Sequence, residues 1–232
     1  MSTESANRKA FLERVRLAAV AGRAYRVQLE NLPDEVGYVG AGADLCKALA
    51  DEVAGVGGQP QVLGSADEVR RALEQLLDNF AAERVLCWRH PFLDRLGLSG
   101  LLNHRRIESD DYDSLVTLPH EERRQRILQA DLGISSVDYA VAETGSLVVC
   151  SRQGQERVVS LVPPVHIAIV EESQIVPDLF DIFAKLEEVG LDQLPSNLAF
   201  ISGPSKTGDI ELQLTTGVHG PGEWHVLILR GP

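Results

Sequence analysis

The stretch Ser65-Ala-Asp-Glu-Val-Arg-Arg-Ala-Leu-Glu-Gln-Leu-Leu-Asp-Asn-Phe80, followed after three residues by Arg84-Val-Leu-Cys-Trp88, sets the fold class. Ser65 and Glu68 have the spacing of a capping box, so a helix starts there. Val69, Ala72, Leu73, Leu76, Leu77 and Phe80 recur at three- and four-residue steps and give that helix one apolar face. Arg84–Trp88 is a short apolar run of strand length. Upstream, Asp44–Val53 reads as another helix, closed by Gly55, Gly57 and Gly58, and Gln61–Leu63 as a short strand. Helix, strand, helix, strand in this order predicts parallel strands joined by crossover helices.

Working outward, residues 7–29 have a helical pattern, broken by Asn31-Leu-Pro33. Residues 89–119 read as irregular and polar, with Asp110, Asp111 and Asp113 as a solvated acidic loop. His120–Ala130 reads as a polar helix closing near Gly133. A strand-rich block follows: Asp138–Glu143, a kink at Thr144-Gly145, Ser146–Ser151, a turn at Arg152–Glu156, and Arg157–Val162. The turn is expected to join the last two runs in a β-hairpin. His166–Val170 is a buried strand. Asp178–Val189 is a helix with Leu179, Ile182, Phe183 and Leu186 on its apolar face, begun by Pro177 and ended by Gly190. Leu198–Ile201 is a strand, Asp209–Thr216 a short helix, and Trp224–Leu229 the last strand. The expected organisation is a helical arm over 1–42 and one α/β domain over 43–231.

The 232 residues fit one large α/β domain with an arm. With 22 Lys+Arg against 34 Asp+Glu, the net charge is −12. That balance argues against coating nucleic acid or an anionic membrane. Cys46, Cys87 and Cys150 are odd in number and widely spaced, which disfavours a disulfide framework, a zinc site or an iron–sulfur cluster held by this chain alone. Cys150, inside an apolar run, reads as packing. His90, His104 and His120 are too scattered for a metal site. No apolar run reaches the roughly 18–20 residues that span a bilayer, and free thiols fit a cytoplasmic protein.

Four places could carry chemistry. Ser202–Glu211 runs from a buried strand through small and hydroxyl residues into an expected helix start, where free N–H groups and the helix dipole favour an anion. Lys206 would add a point charge, and Ser205 and Thr207 hydroxyls. The spacing is not that of a Walker A loop. The same residues would equally serve as a plain helix cap with a solvated lysine. Glu143, at a strand end beside Gly145, could be a nucleophile or general base, or a turn glutamate that accepts backbone hydrogen bonds. His166 and His219 could each be a cleft base or a structural histidine.

Ala142-Glu-Thr-Gly-Ser-Leu-Val148, Leu161-Val-Pro-Pro-Val-His-Ile-Ala168, Ser202-Gly-Pro-Ser-Lys-Thr-Gly-Asp-Ile-Glu211 and Gly217-Val-His-Gly-Pro221 occur in this order before a final strand. Together they resemble the lactate-utilisation (LUD) domain family, in its short single-domain branch. The resemblance covers roughly residues 131–231. It implies a three-layer α/β/α architecture with a mostly parallel sheet, similar to the NagB/RpiA/CoA-transferase-like fold. It implies a place in a bacterial system that oxidises L-lactate to pyruvate with iron–sulfur partner subunits. Those partners would hold the clusters, with no cofactor or metal bound by this chain. Carried over residue by residue, the resemblance points to Glu143 and His219 as candidate catalytic groups. Thr144, Gly145, His166, Gly203, Ser205, Lys206, Thr207, Asp209 and Glu211 become candidate contacts to a small carboxylate or phosphate. The family often has arginine where Lys206 stands and alanine where Gly208 stands; lysine keeps the charge but loses the planar fork. A CoA-transferase- or sugar-phosphate-isomerase-like enzyme and a non-catalytic interaction module are the alternatives.

Overall fold

In a computed structural model, the residues described are 9, 11–14, 16–17, 41–189, 193–195, 197–208 and 214–231. The chain divides into two units, residues 1–39 and 40–232. The described residues of the first unit are helical; the rest of the helix expected over 7–29 lies outside the described residues.

The second unit is built on a six-stranded sheet in which every pairing is parallel. Its order is β1 (Gln59–Leu63), β12 (Glu223–Leu229), β7 (Val165–Glu171), β4 (Leu132–Ser135), β2 (Arg84–Cys87), β3 (Glu108–Asp110). The apolar runs follow from this position: a parallel sheet is covered on both faces, so its strands need not alternate. Ile167, Ala168, Ile169 and Val170 are all fully buried.

Helices α1 (Leu45–Gly55) and α2 (Ala66–Asn79) cover opposite faces. Trp224 packs on the α1 side, where a Cβ on Gly58 would lie 2.5 Å from its ring and 2.7 Å from Val53. The next residue, His225, meets Phe80 at the end of α2 edge-on, ring centres 5.5 Å apart. Successive side chains of a strand point to opposite faces, so the architecture is helix, sheet, helix. The Ser65 hydroxyl caps α2 by accepting from the Glu68 amide, and the Glu68 carboxylate accepts from Gly64 N at 2.7 Å. Val69, Ala72, Leu73, Leu76 and Leu77 are buried, as their spacing requires. Each of the buried valine and leucine side chains contributes roughly 1.5–3 kcal/mol.

A second sheet runs β8 (Ile175–Val176), β5 (Tyr139–Val141), β6 (Ser146–Cys150), β9 (Leu198–Ile201), and carries helix α8 (Leu179–Val189). β5 and β6 are antiparallel and joined through residues 142–145, so they form a β-hairpin. The hairpin expected between 146–151 and 157–162 is not formed: Val158–Leu161 is a short helix, α7. Its β-branched residues favour a strand locally, but packing decides. Gly133 of β4 accepts the α7 backbone so closely that a Cβ there would stand 1.9 Å from the Val159 carbonyl oxygen.

Other differences have similar causes. Residues 89–119 hold α3 (Pro91–Arg95), α4 (Leu98–His104), β3 and α5 (Tyr112–Val116). Each is only three to seven residues long, too short for a periodic pattern to show, so composition alone looks irregular. Asp110 is not solvated; it is 3% exposed and faces Arg126 at 3.3 Å. Helix α6 (His120–Leu128) ends before Gly133, which lies inside the buried strand β4. The short helix expected over 209–216 is absent where described: Leu214–Thr216 is strand β11, antiparallel to β10 (Lys206–Gly208). On α8, Ile182 is buried, whereas Phe183 is 55% exposed.

Candidate functional site

The four quoted motifs lie far apart in sequence; two of them meet at the carboxyl end of α1, and a third is tied to one of these two. Gly145 has φ +62°, and a Cβ on it would come 2.6 Å from the Glu52 carbonyl carbon, so the turn after Glu143 rests directly on the helix backbone. Gly203 rests in the same way on the Val56 carbonyl, at 2.9 Å. The Lys206 Nζ donates to that carbonyl at 2.5 Å. Ser205 N donates to Pro221 O (2.8 Å), and Gly217 N donates to Ser205 O (2.9 Å), which ties in the loop that carries His219.

Hydroxyls join the first two loops. Thr144 Oγ1 donates to Ser146 Oγ at 2.9 Å, and Ser146 Oγ and Ser202 Oγ share a hydrogen bond of 2.6 Å. Ser146 sits at the start of β6 and Ser202 just after β9, two antiparallel neighbours, so the sheet register sets this contact. Around the linked loops, Glu143, Ser202, Lys206 and His219 are exposed. Glu143 N donates to Pro177 O at 3.0 Å, which holds the backbone and leaves the carboxylate outward in solvent.

The strands that border the cluster fix its place in the sheet. Val56–Gly58 precedes β1, Gly222 precedes β12, and Gly222 N donates to Pro164 O just ahead of β7. The cluster therefore lies at the amino ends of the parallel strands. The strand before Ser202, β9, belongs to the second sheet, so its end does not mark the carboxyl edge of the central sheet. Lys206 and Thr207 lie in strand β10, not at a helix start, so the helix-dipole argument for an anion does not apply to them.

His166 does not reach the cluster's surface. It is 1% exposed in the middle of the sheet, between Gly133 of β4 and Trp224 of β12. Its Nε2 shares a 2.8 Å hydrogen bond with Ser135 Oγ, and burial pushes its pKa down to about 3. A neutral, sealed imidazole is a structural group. Asp209 and Glu211 lie outside the described residues. The three cysteines are buried, and burial raises their thiols to about 11 (Cys46), 12 (Cys87) and 11 (Cys150). Such thiols stay protonated and unreactive near neutral pH. Among the described residues no group of three or more His, Cys, Asp and Glu is placed to hold a metal ion, and no helix is long and apolar enough to cross a membrane.

Sequence reasoning missed a second region. Cavities line the carboxyl ends of β2 and β3, among Cys87, Trp88, Arg89, Asp110 and Asp111. None of the motif residues lines them. The available signal was the strand-then-polar order of Cys87-Trp-Arg-His90, which resembles any strand exit.

An all-parallel central sheet, a second mixed sheet, the two-stranded β10–β11 sheet and a motif-bearing loop cluster at the amino edge define an α/β protein. The LUD domain model matches residues 46–229, and the chain belongs to that family. It is 36% identical over 157 residues to Lactate utilization protein C of Halalkalibacterium halodurans, a match spanning 67% of this chain and 66% of that protein's length. It is 30% identical over 235 residues to the protein of the same name from Bacillus licheniformis, across 93% and 92% of the two chains. In fold it is similar to the crystal structure of a DUF162 family protein from Deinococcus radiodurans, with a TM-score of 0.58, 21% identity, and coverage of 81% of this chain and 97% of that one.

Proposed function

We propose that this chain is a subunit of a bacterial L-lactate utilisation system that oxidises L-lactate to pyruvate together with iron–sulfur partner subunits. Its contribution is the surface formed by Glu143, Ser202, Lys206 and His219, which binds a small carboxylate or phosphate. The observation that carries this reading is the convergence of two motif loops on the end of α1, fixed by Gly145, Gly203 and the Lys206–Val56 bond, with the Gly217–Pro221 loop hydrogen-bonded to Ser205 of the second. An ammonium has three donors, and the bond to Val56 uses one. Glu143 and His219, exposed on the loops tied to it, are the groups able to move a proton.

The chain's own cysteines do not suit an iron–sulfur cluster. They sit on different elements, are buried, and hold their protons. Electron transfer is accordingly assigned to partners. The Lys206–Val56 bond also favours a second reading, in which the loop is a structural tether and the surface docks a partner without binding a ligand.

Deleting the gene and restoring it with wild-type or variant chains tests both. Under the first reading the deletion stops growth on L-lactate, and a folded Lys206→Met or Glu143→Gln chain fails to restore it. An iron-bearing partner also co-purifies with the tagged wild type. Unimpaired growth of the deletion strain overturns the pathway assignment. Full restoration by both variants favours the docking surface.

A further inference from the structure

The carboxyl ends of β2 and β3 carry a cleft that no motif loop reaches. β2 leads on to β3 on one side, and β4 leads towards β7 on the other. Open parallel sheets hold ligands at the carboxyl ends of strands beside such a divergence; it falls between β4 and β2, and the cleft lies next to it, at β2 and β3. A first cavity there, of about 200 Å³, is lined by Leu86, Leu115, Val116, Ile127, Val158 and Val159. An apolar cavity of roughly 150 Å³ is enough to admit benzene. Cys87, Asp110 and Asp111 form a wall shared with a second cavity of about 350 Å³, which extends past Trp88, Ser99 and Asp94.

The polar groups of the cleft are mainly acidic. Asp110 is neutralised by Arg126, and Arg89 is paired with Asp113. Asp111 accepts from the Ser114 amide, and Glu156 from the Gly154 amide, bonds that hold the carboxylates in place without cancelling their charge. Asp94 adds a third carboxylate, against the single guanidinium of Arg123. A greasy chamber next to fixed negative charge repels carboxylates and phosphates and attracts a cation with an apolar body.

We propose that this cleft is a second ligand site, for a small amphipathic amine whose ring or branched alkyl group fills the Leu115 chamber and whose ammonium faces Asp111. It is separate from the anion-binding surface at the amino edge. The test uses the full chain with benzylamine, benzyl alcohol and benzoate, read by thermal shift and by the fluorescence of Trp88, which lines the cleft. Benzylamine is expected to bind saturably and raise the melting temperature, benzyl alcohol to bind more weakly, and benzoate to do neither. Asp111→Asn keeps the helix cap, because asparagine caps as well as aspartate. It should weaken benzylamine at least fivefold and leave benzyl alcohol unchanged. Leu115→Phe should abolish both; if that variant does not fold, Asp111→Asn decides alone. No saturable response to benzylamine, equal binding of benzoate, or unchanged amine affinity in Asp111→Asn overturns the proposal.

Discussion

The ammonium of Lys206 donates to the carbonyl oxygen of Val56 across 150 positions of chain. Val56 is the C-cap residue of α1. The last carbonyls of a helix lack partners within it and carry the negative end of its dipole. One side chain thus satisfies a helix end and anchors the loop that bears the longest motif.

Replacing Lys206 therefore has a stability effect distinct from any effect on function. Lys206→Met should cost about 0.5–1 kcal/mol, a fall of roughly 1–4 °C in melting temperature for a chain of this size. Lys206→Arg should retain most of that stability. Thermal melts of the three proteins check this. Identical melting of wild type and the Met variant would mean the bond contributes nothing.

Two glycines should respond to alanine with opposite signs. Gly145 has a positive φ and no room for a Cβ over the α1 backbone, so Gly145→Ala should destabilise by about 2 kcal/mol or more. Gly100, inside α4, has nothing within 4 Å of a Cβ, so Gly100→Ala should stabilise by up to about 1 kcal/mol. Urea midpoints of the two variants test the contrast.

Along α8, burial predicts unequal costs for neighbours. Ile182 is sealed against Val141, Val148 and Val176 beneath the helix. Ile182→Ala should cost about 3 kcal/mol. Phe183 is more than half exposed, and Phe183→Ala should stay within about 0.5 kcal/mol. Chemical denaturation that ranked Phe183 above Ile182 would contradict the packing described for α8.

The pH dependence follows from His166. Burial lowers its pKa from the ordinary 6.5 to about 3, so the folded state keeps it neutral where the unfolded chain would bind a proton. The stability this contributes is complete above pH 6.5 and is lost as pH falls towards 3. The slope is about 1.4 kcal/mol per pH unit for one such group. Burial lowers His90 and His225 in the same direction. Urea midpoints at pH 7.5, 6.5 and 5.5 should fall slightly between the first two and more steeply to the third. His166→Gln should reduce that fall.

Much of the central architecture was legible because it is encoded locally. The Ser65–Glu68 box and the three-four spacing after it specify α2 without reference to anything distant. The apolar runs Arg84–Trp88 and His166–Val170 read as buried strands, and the structure has them as β2 and β7 of the covered sheet. Val158–Leu161 was not legible as a helix, since a short apolar run fits either period. Its state depends on Gly133, which makes room for it from another strand. Leu214–Thr216 likewise becomes a strand by pairing with Lys206–Gly208.

The sequence by itself determined the α/β class, the family, the capped helices and the residues that its motifs bring forward. Those properties rest on spacing and residue type, which the chain carries before it folds. Only the tertiary structure decided that the loops carrying Glu143, Ser202, Lys206 and His219 are tied together at the amino edge, that His166 is sealed away from them, and that a separate acidic cleft opens at the carboxyl edge. Which loops meet depends on strand order and register, and those are set by burying every apolar face at once.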